Sequence, residues 1–261
     1  MDNSSQPFTL GDPVPTTLEI RSVLNVMSSA RFKSTLFHCD IHSVRTHYLL
    51  EIDSNQFMSY QRSVPEWVEE SLRQTPFVVV RRGAATNETI SIGVRGAERN
   101  QRWPTFCHSK LIKSILTPPQ LLDLLPTARL NGAPALRSLD LLKERWMDLD
   151  HPWGPGGGVG FELATGKEVV NPEGDLDIVI YAETRLTGEE AKSLWTRAMD
   201  LPAVVDIRVE TPVCGFSLGE FVSQSPGAIL LRLPSGFMFG RDPWANEVAF
   251  ENELGYGRRL K

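Results

Sequence analysis

Two aspartates on one predicted strand follow a glycine-rich segment in the middle of the chain. Gly157 and Gly158 open a predicted short helix, and the N–H groups at such a helix start can bind phosphate oxygens. Asp175 and Asp177 are separated by one residue in the strand-like run Gly174–Ile180, so both carboxylates are expected on one face. Carboxylates beside a phosphate site are the groups that hold Mg²⁺ against a nucleoside triphosphate. This spacing predicts phosphoryl or nucleotidyl transfer.

A third aspartate interrupts a later apolar segment. Residues 203–209 have the pattern of a strand, and Asp206 lies among its apolar residues. Burying a carboxylate without a partner is costly, and a metal ion shared with Asp175 and Asp177 would remove that cost. We therefore predict a metal site that contains all three carboxylates. The alternative is structural: a flexible glycine turn, a polar turn residue at 175 and a solvent-facing Asp206 at a strand edge.

Basic residues are concentrated in one part of the N-terminal half. The stretch from Arg81 to Lys113 contains seven basic and two acidic residues, although the whole chain has a net charge of −5. Arg81 and Arg82 directly follow the predicted buried strand 77–80. The stretch is interpreted as a surface for a polyphosphate or an acidic partner. A solvated strand face is the alternative.

Secondary-structure signals divide the chain into three parts. Residues 1–17 have the composition of a flexible tail. Residues 18–135 are predicted to form a β-rich N-terminal domain, and residues 136–261 a catalytic domain. The predicted elements are strands at 48–52, 77–80 and 90–94, a helix start at Pro118–Pro119, an amphipathic helix over 136–149, and a helix whose capping box is Thr187 and Glu190.

Composition limits the class of protein. A chain of 261 residues has room for one large or two small domains. The acidic net charge argues against a general nucleic-acid binder. The three cysteines, at 39, 107 and 214, are odd in number and widely spaced, so we expect no disulfide framework. Without an apolar run of about 20 residues or an apolar start, we expect a soluble cytoplasmic protein with no membrane partner.

Four rival motifs do not match. The G-x-S-x-G sequence at 215–219 resembles a hydrolase nucleophile elbow, but all five histidines lie at or before His151, whereas that architecture needs one after the serine. Gly160–Lys167 is one residue too long for a phosphate-binding P-loop, and Glu168 replaces the required Ser or Thr. No dinucleotide-binding G-x-G-x-x-G frame fits the glycines. His38, Cys39 and His42 lack a second ligand pair at zinc-finger spacing.

Several segments together resemble one known family. The chain is similar to the malonate decarboxylase holo-acyl-carrier-protein synthases, also called phosphoribosyl-dephospho-CoA transferases. The resemblance covers most of residues 45–245 and is strongest in the second half. It is carried by Trp153–Gly166, Gly174–Ile180, Val205–Pro212, Leu230–Gly236 and Asp242–Trp244, with Pro76–Arg82 and Ile92–Arg95 in the N-terminal half.

The resemblance implies a specific reaction. Members of this family attach 2′-(5″-triphosphoribosyl)-3′-dephospho-CoA to a serine of the acyl-carrier subunit of malonate decarboxylase, and release pyrophosphate. The implied fold is α+β, with a nucleotidyltransferase-like mixed sheet in the C-terminal domain preceded by a smaller β-rich domain. The implied partners are therefore the donor and the carrier protein, and no nucleic acid.

The resemblance also assigns roles to the predicted site residues. Asp175 and Asp177 would hold Mg²⁺ on the triphosphate, and Asp206 would help to position a second Mg²⁺ near the serine hydroxyl. Gly157 and Gly158 would bind the leaving phosphates through backbone N–H groups. In addition, the guanidinium groups at positions 81 and 82 would neutralise phosphate charge from the other domain.

Two other classes remain open. Another nucleotidyltransferase, including the citrate lyase counterpart, would use the same three acids on a different donor or acceptor. A non-catalytic scaffold of the same fold is the second alternative, but a scaffold has no need for crowded carboxylates.

Overall fold

The structure is a computed structural model of the chain. It describes residues 43–83, 86, 88–98, 100–127, 130–171, 173–224 and 227–245. The predicted tail at 1–17, the His38–His42 group and Arg99 of the basic stretch lie outside these residues. Within the described residues, no helix has the length and apolar character needed to cross a bilayer.

The N-terminal half forms a five-stranded antiparallel sheet. Its spatial order is β4-β3-β2-β1-β5, and every neighbouring pair is antiparallel. The three predicted strands are confirmed as β1, β2 and β3. The strands are β1 (Leu49–Ile52), β2 (Phe77–Val80), β3 (Thr89–Arg95), β4 (Arg102–His108) and β5 (Ile112–Leu116).

Two helices in this half differ from the strand-like pattern that the sequence predicted. Helix α1 is Ser54–Ser59 and helix α2 is Glu66–Gln74. Both contribute to the core beneath the sheet, because Phe57, Val68 and Leu72 are buried against the inner strand residues. Helix α2 begins after Pro65 without a side-chain cap, and the acidic Glu66 and Glu69 in its first turn favour this helix start, although the sequence analysis did not predict a helix there.

The C-terminal half forms a six-stranded mixed sheet. Its order is β11-β10-β9-β8-β7-β6, and β7 and β8 are parallel whereas the other pairs are antiparallel. The predicted α+β class, with a mixed sheet in this half, is confirmed. The strands are β6 (Trp153–Pro155), β7 (Leu176–Tyr181), β8 (Val205–Glu210), β9 (Gly215–Ser217), β10 (Ile229–Leu233) and β11 (Gly236–Gly240).

Among the described residues, five helices accompany this second sheet. They are α3 (Pro118–Leu121), α4 (Pro134–Arg145), α5 (Gly157–Thr165), α6 (Gly188–Arg197) and α7 (Leu218–Gln224). Helix α6 connects the parallel strands β7 and β8, as a parallel pair requires. Its capping box is confirmed, because Thr187 accepts from the backbone N–H of Glu190 and the Glu190 carboxylate accepts from the N–H of Thr187. Such a cap contributes about 1 kcal/mol to stability.

The two faces of the C-terminal sheet have different chemistry. Along β7 and β8, Ile178, Ile180, Ile207 and Val209 are buried in the main hydrophobic core. Because side chains alternate along a strand, the opposite face carries the intervening residues, which include Asp177. This polar face meets the N-terminal sheet. The predicted boundaries at residues 18 and 136 stay a prediction, while the two sheets occupy residues 49–116 and 153–240.

Candidate active site

Asp177 and Asp206 are register partners on the parallel strands β7 and β8. The two carboxylates therefore project from neighbouring backbone positions on the polar face of the sheet. Both line a cavity of about 890 Å³, which Asp175 also lines from its place just before β7. The fold thus brings the three sequence-predicted acids to one cavity.

The environment of Asp177 disfavours a bare negative charge. Burial raises the pKa of this carboxyl above its usual range, and the nearby charge of Asp206 raises it further. His47 and Arg208 act in the opposite direction but do not cancel the shift. Arg208 donates from Nη2 to Oδ2 of Asp206 over 2.6 Å. A cation at this position would remove the electrostatic cost of the two carboxylates.

Helix α5 begins against Asp177. Gly157 has a φ of +52°, and a Cβ atom at this position would collide with Oδ2 of Asp177. The neighbouring Gly156 donates its N–H to the backbone oxygen of Asp177 over 2.8 Å. Gly158 is less constrained, because its nearest neighbour would be Nη2 of Arg95 at 3.5 Å. Gly157 and Gly158 both line the cavity. The N–H groups of the first helical turn have no acceptor within the helix.

The donor set at the cavity fits a magnesium ion with two protein carboxylates. Mg²⁺ is commonly held by one or two carboxylates, with water and substrate phosphates in its other positions. Burial and the charge of Asp206 both raise the pKa of Asp177, although His47 and Arg208 lower it. Within the described residues, no group of three His, Cys, Asp or Glu side chains is arranged to hold a metal ion. The predicted sharing of metal by Asp175, Asp177 and Asp206 stays a prediction.

Arginines of the N-terminal sheet form the opposite wall of the cavity. Arg81 and Arg95 both line it. Burial lowers the pKa of Arg95 to about 10, with a further contribution from Arg102, and its guanidinium lies 5.8 Å from the ring centre of Phe161. Arg95 was not predicted as a site residue. Its place in the predicted basic stretch, at the end of an alternating strand, was the available signal.

Arg82 does not line this cavity. Its guanidinium is paired with the buried carboxylate of Glu210 on β8, which also accepts from Nε2 of His47 over 3.0 Å. Burial acts to raise the pKa of Glu210, but the hydrogen bonds and charges of His47 and Arg82 outweigh it and lower that pKa. Arg82 and Glu210 line a second cavity of about 340 Å³. The two cavities share His47, Val79 and Arg81 as lining residues.

The basic stretch is only partly directed to these cavities. Arg81, Arg95 and Arg102 line the larger one and Arg82 the smaller one, whereas Lys110 and Lys113 line neither. Lys113 lies 3.5 Å from Oδ2 of Asp53. The interpretation of the whole stretch as a surface for a polyphosphate or an acidic partner therefore stays a prediction, and its two lysines lie outside both cavities.

Comparison with known proteins agrees with the two halves of the fold. Residues 45–118 match the family model described as the N-terminal domain of phosphoribosyl-dephospho-CoA transferase MdcG. Residues 121–243 match the model of its C-terminal domain. No solved structure matches the chain.

Individual relatives carry the same name. A phosphoribosyl-dephospho-CoA transferase of Pseudomonas aeruginosa is 34% identical over 70% of this chain and 86% of its own length. The proteins of that name from Azotobacter vinelandii and Klebsiella pneumoniae are 34% and 33% identical, over 72% and 69% of this chain and 88% and 87% of theirs. The predicted family, and with it the prediction of a transferase, is confirmed. The chain belongs to the phosphoribosyl-dephospho-CoA transferase family.

Proposed function

We propose that this protein transfers the phosphoribosyl-dephospho-CoA group of 2′-(5″-triphosphoribosyl)-3′-dephospho-CoA to a serine of the acyl-carrier subunit of malonate decarboxylase, in the cytoplasm. The reaction forms a phosphodiester and releases pyrophosphate. The observation that carries the proposal is the registered pair Asp177 and Asp206 beside the helix start at Gly157, in a cavity that arginines also line. The names of the relatives support the donor group, and the family resemblance supports the carrier protein as acceptor.

The carboxylates supply the metal site in this proposal. Asp175 and Asp177 would hold Mg²⁺ on the triphosphate, and Asp206, the register partner of Asp177, would help to position a second Mg²⁺ near the serine hydroxyl. Bound Mg²⁺ supplies positive charge to the attacking and leaving oxygens of an in-line displacement at phosphorus. The arrangement of acids on adjacent strands beside a glycine-initiated helix also supports a nucleotidyltransferase-like assignment for the C-terminal half.

The remaining cavity residues would bind the donor. The N–H groups of Gly157 and Gly158 are suited to the departing phosphates, because the helix N-terminus carries partial positive charge. Arg81 and Arg95 add full positive charge from the opposite wall. As the bond between the α-phosphorus and the oxygen that bridges it to the β-phosphorus breaks, these groups would stabilise the negative charge that develops on pyrophosphate.

The acceptor reaction provides a direct test. Purified protein is incubated with the donor, Mg²⁺ and the acyl-carrier subunit, and the carrier is measured by intact-mass spectrometry together with pyrophosphate release. We expect the carrier mass to rise by the mass of the donor less pyrophosphate. A carrier in which the acceptor serine is replaced with alanine is the control and gains no mass. An unmodified carrier in the presence of folded enzyme and both substrates would overturn the proposal.

A different donor or acceptor is the second candidate. The same carboxylate pair serves any nucleotidyl transfer, so the citrate lyase carrier and a panel of nucleoside triphosphates belong in the assay. Pyrophosphate release with one of these, and none with the malonate decarboxylase carrier, would favour that candidate. A scaffold without activity agrees poorly with the raised pKa of Asp177, because crowded carboxylates lower the stability of a fold that makes no use of them.

A further inference from the structure

The second cavity, of about 340 Å³, has an unusual charge composition. Its described lining contains one carboxylate, that of Glu210, together with His47 and four arginines. The arginines are Arg81, Arg82, Arg208 and Arg232. Clustered guanidinium groups in a concave site repel one another, and a bound anion lowers that repulsion.

Strand register explains how these groups converge. Arg208 and Glu210 alternate with apolar residues on β8, so they share the polar face with Asp206. Gly215 on β9 pairs with Glu210 on one side and with Arg232 of β10 on the other. A Cβ atom at Gly215 would collide with the guanidinium of Arg82. The glycine therefore leaves the space into which Arg82 reaches from the N-terminal sheet.

Two of the arginines lack an acceptor among the described residues. Nη1 of Arg232 is buried and makes no hydrogen bond there, and burial together with the charge of Arg208 lowers the pKa of Arg232. Arg81, which is exposed, has no ion pair within the described part of the chain. A buried donor without an acceptor is costly, and phosphate oxygens are acceptors of the required charge.

The carboxylates near Arg232 accept hydrogen bonds from groups other than Arg232. Glu210 accepts from both His47 and Arg82, and Asp206 accepts from Arg208. Glu220 adds negative charge near Arg232, but its Oε1 accepts the N–H of Leu230 over 2.9 Å. These carboxylates leave the buried Nη1 of Arg232 without an acceptor.

We propose that the second cavity is a binding site for a diphosphate group. Guanidinium groups match phosphate oxygens in a two-pronged geometry, and two of them here are without a protein acceptor. This cavity and the larger one, which the three aspartates line, share His47, Val79 and Arg81. One ligand can therefore extend into both. On the proposed function, the diphosphate belongs either to the dephospho-CoA part of the donor or to the pyrophosphate product.

Calorimetric titration without metal tests the site independently of turnover. Pyrophosphate and dephospho-CoA are titrated separately into the wild-type protein in EDTA, and into the Arg232→Met and Arg232→Lys variants. Arg137→Met is the matched control, because it removes the same charge from an exposed position on α4. Loss of one charged hydrogen-bonding group predicts a rise in Kd of about tenfold or more for Arg232→Met, and little change for the control.

The two ligands distinguish the sources of the diphosphate. If dephospho-CoA binds with a Kd that depends on Arg232, the site takes the diphosphate of the donor. If only pyrophosphate does so, the site takes the product. Arg232→Lys keeps the charge without the planar fork, and is expected to bind with intermediate affinity, which controls for misfolding of the methionine variant.

One result would overturn the inference. If each ligand binds the wild-type protein and the folded Arg232→Met and Arg232→Lys variants with the same Kd, this cavity is not its binding site. This failure is distinct from failure of the proposed function, which the carrier mass assay measures separately. Diphosphate binding without carrier modification would leave the site intact and refute the assigned acceptor.

Discussion

Gly157 lies so close to Asp177 that a single methyl group at position 157 would collide with the carboxylate. The same residue has a φ of +52°, a backbone conformation that costs other residues about 1 kcal/mol or more. The start of α5 and the carboxylate are therefore positioned together. The N–H groups proposed to bind phosphate cannot keep their place beside Asp177 if residue 157 gains a side chain.

Substitution at this glycine is the first prediction. Gly157→Ala should lower kcat/KM by about 100-fold, because displacing a reactive group by about 1 Å has an effect of that size. Gly158→Ala is the matched control, since its nearest neighbour is 3.5 Å away and its backbone N–H is retained. Both are measured by carrier modification. Equal rates for the two variants would contradict a positional role for Gly157.

The second prediction concerns the carboxylates. Asp177→Asn and Asp206→Asn should each lose activity by about 100-fold or more, because each removes charge from the proposed metal site. We expect Asp175→Asn to have lower activity as well. All three should fold normally by circular dichroism. Near wild-type transfer by Asp177→Asn with Mg²⁺ as the sole metal would remove this residue from the site.

The raised pKa of Asp177 gives a third prediction, on stability without metal. A carboxyl whose pKa is higher in the folded than in the unfolded state binds its proton more tightly when folded. Its contribution to stability is therefore lost as pH rises from about 4 through the folded pKa. Asp177→Asn removes this loss. In EDTA, we compare the denaturation midpoints of Asp177→Asn and wild type at the same pH. The midpoint of the variant should increase relative to that of wild type as the pH rises across that range. A difference that does not vary with pH would contradict the assigned burial of the charge.

The extent to which sequence predicts this site depends on the range of the contacts. Alternation along one strand predicted a common face for Asp175 and Asp177, because that pattern is local, and the cost of burying Asp206 alone predicted that it joins them. The partners of Glu210 have no local signal. His47 is 163 residues away in sequence and Arg82 is 128 residues away, and they meet Glu210 only because the two sheets face each other. The sequence therefore predicted Arg82 as a ligand for phosphate, and its pairing with Glu210 could not be inferred.

The fourth prediction tests this contact between the sheets. Glu210→Gln leaves the guanidinium of Arg82 without its charged partner, and breaking a buried ion pair in this way costs about 3 kcal/mol or more. Glu183→Gln is the control, because Glu183 pairs with Arg45 but is 58% exposed, and exposed pairs contribute less than about 1 kcal/mol. Chemical denaturation measures both. Similar losses in the two variants would mean that the Glu210 contact is no stronger than a surface pair.

The fifth prediction separates the cavity-lining cation Arg81 from the rest of the basic stretch. Arg81→Met should raise the KM for the donor by about tenfold at low ionic strength, because the guanidinium lines both cavities and has no acceptor among the described residues. The increase should shrink as salt is added, since screening weakens the interaction with phosphate. Lys113→Met is the matched control, because Lys113 lines neither cavity and lies beside Asp53. If both variants change KM equally, the effect comes from net charge and Arg81 makes no direct contact with the donor.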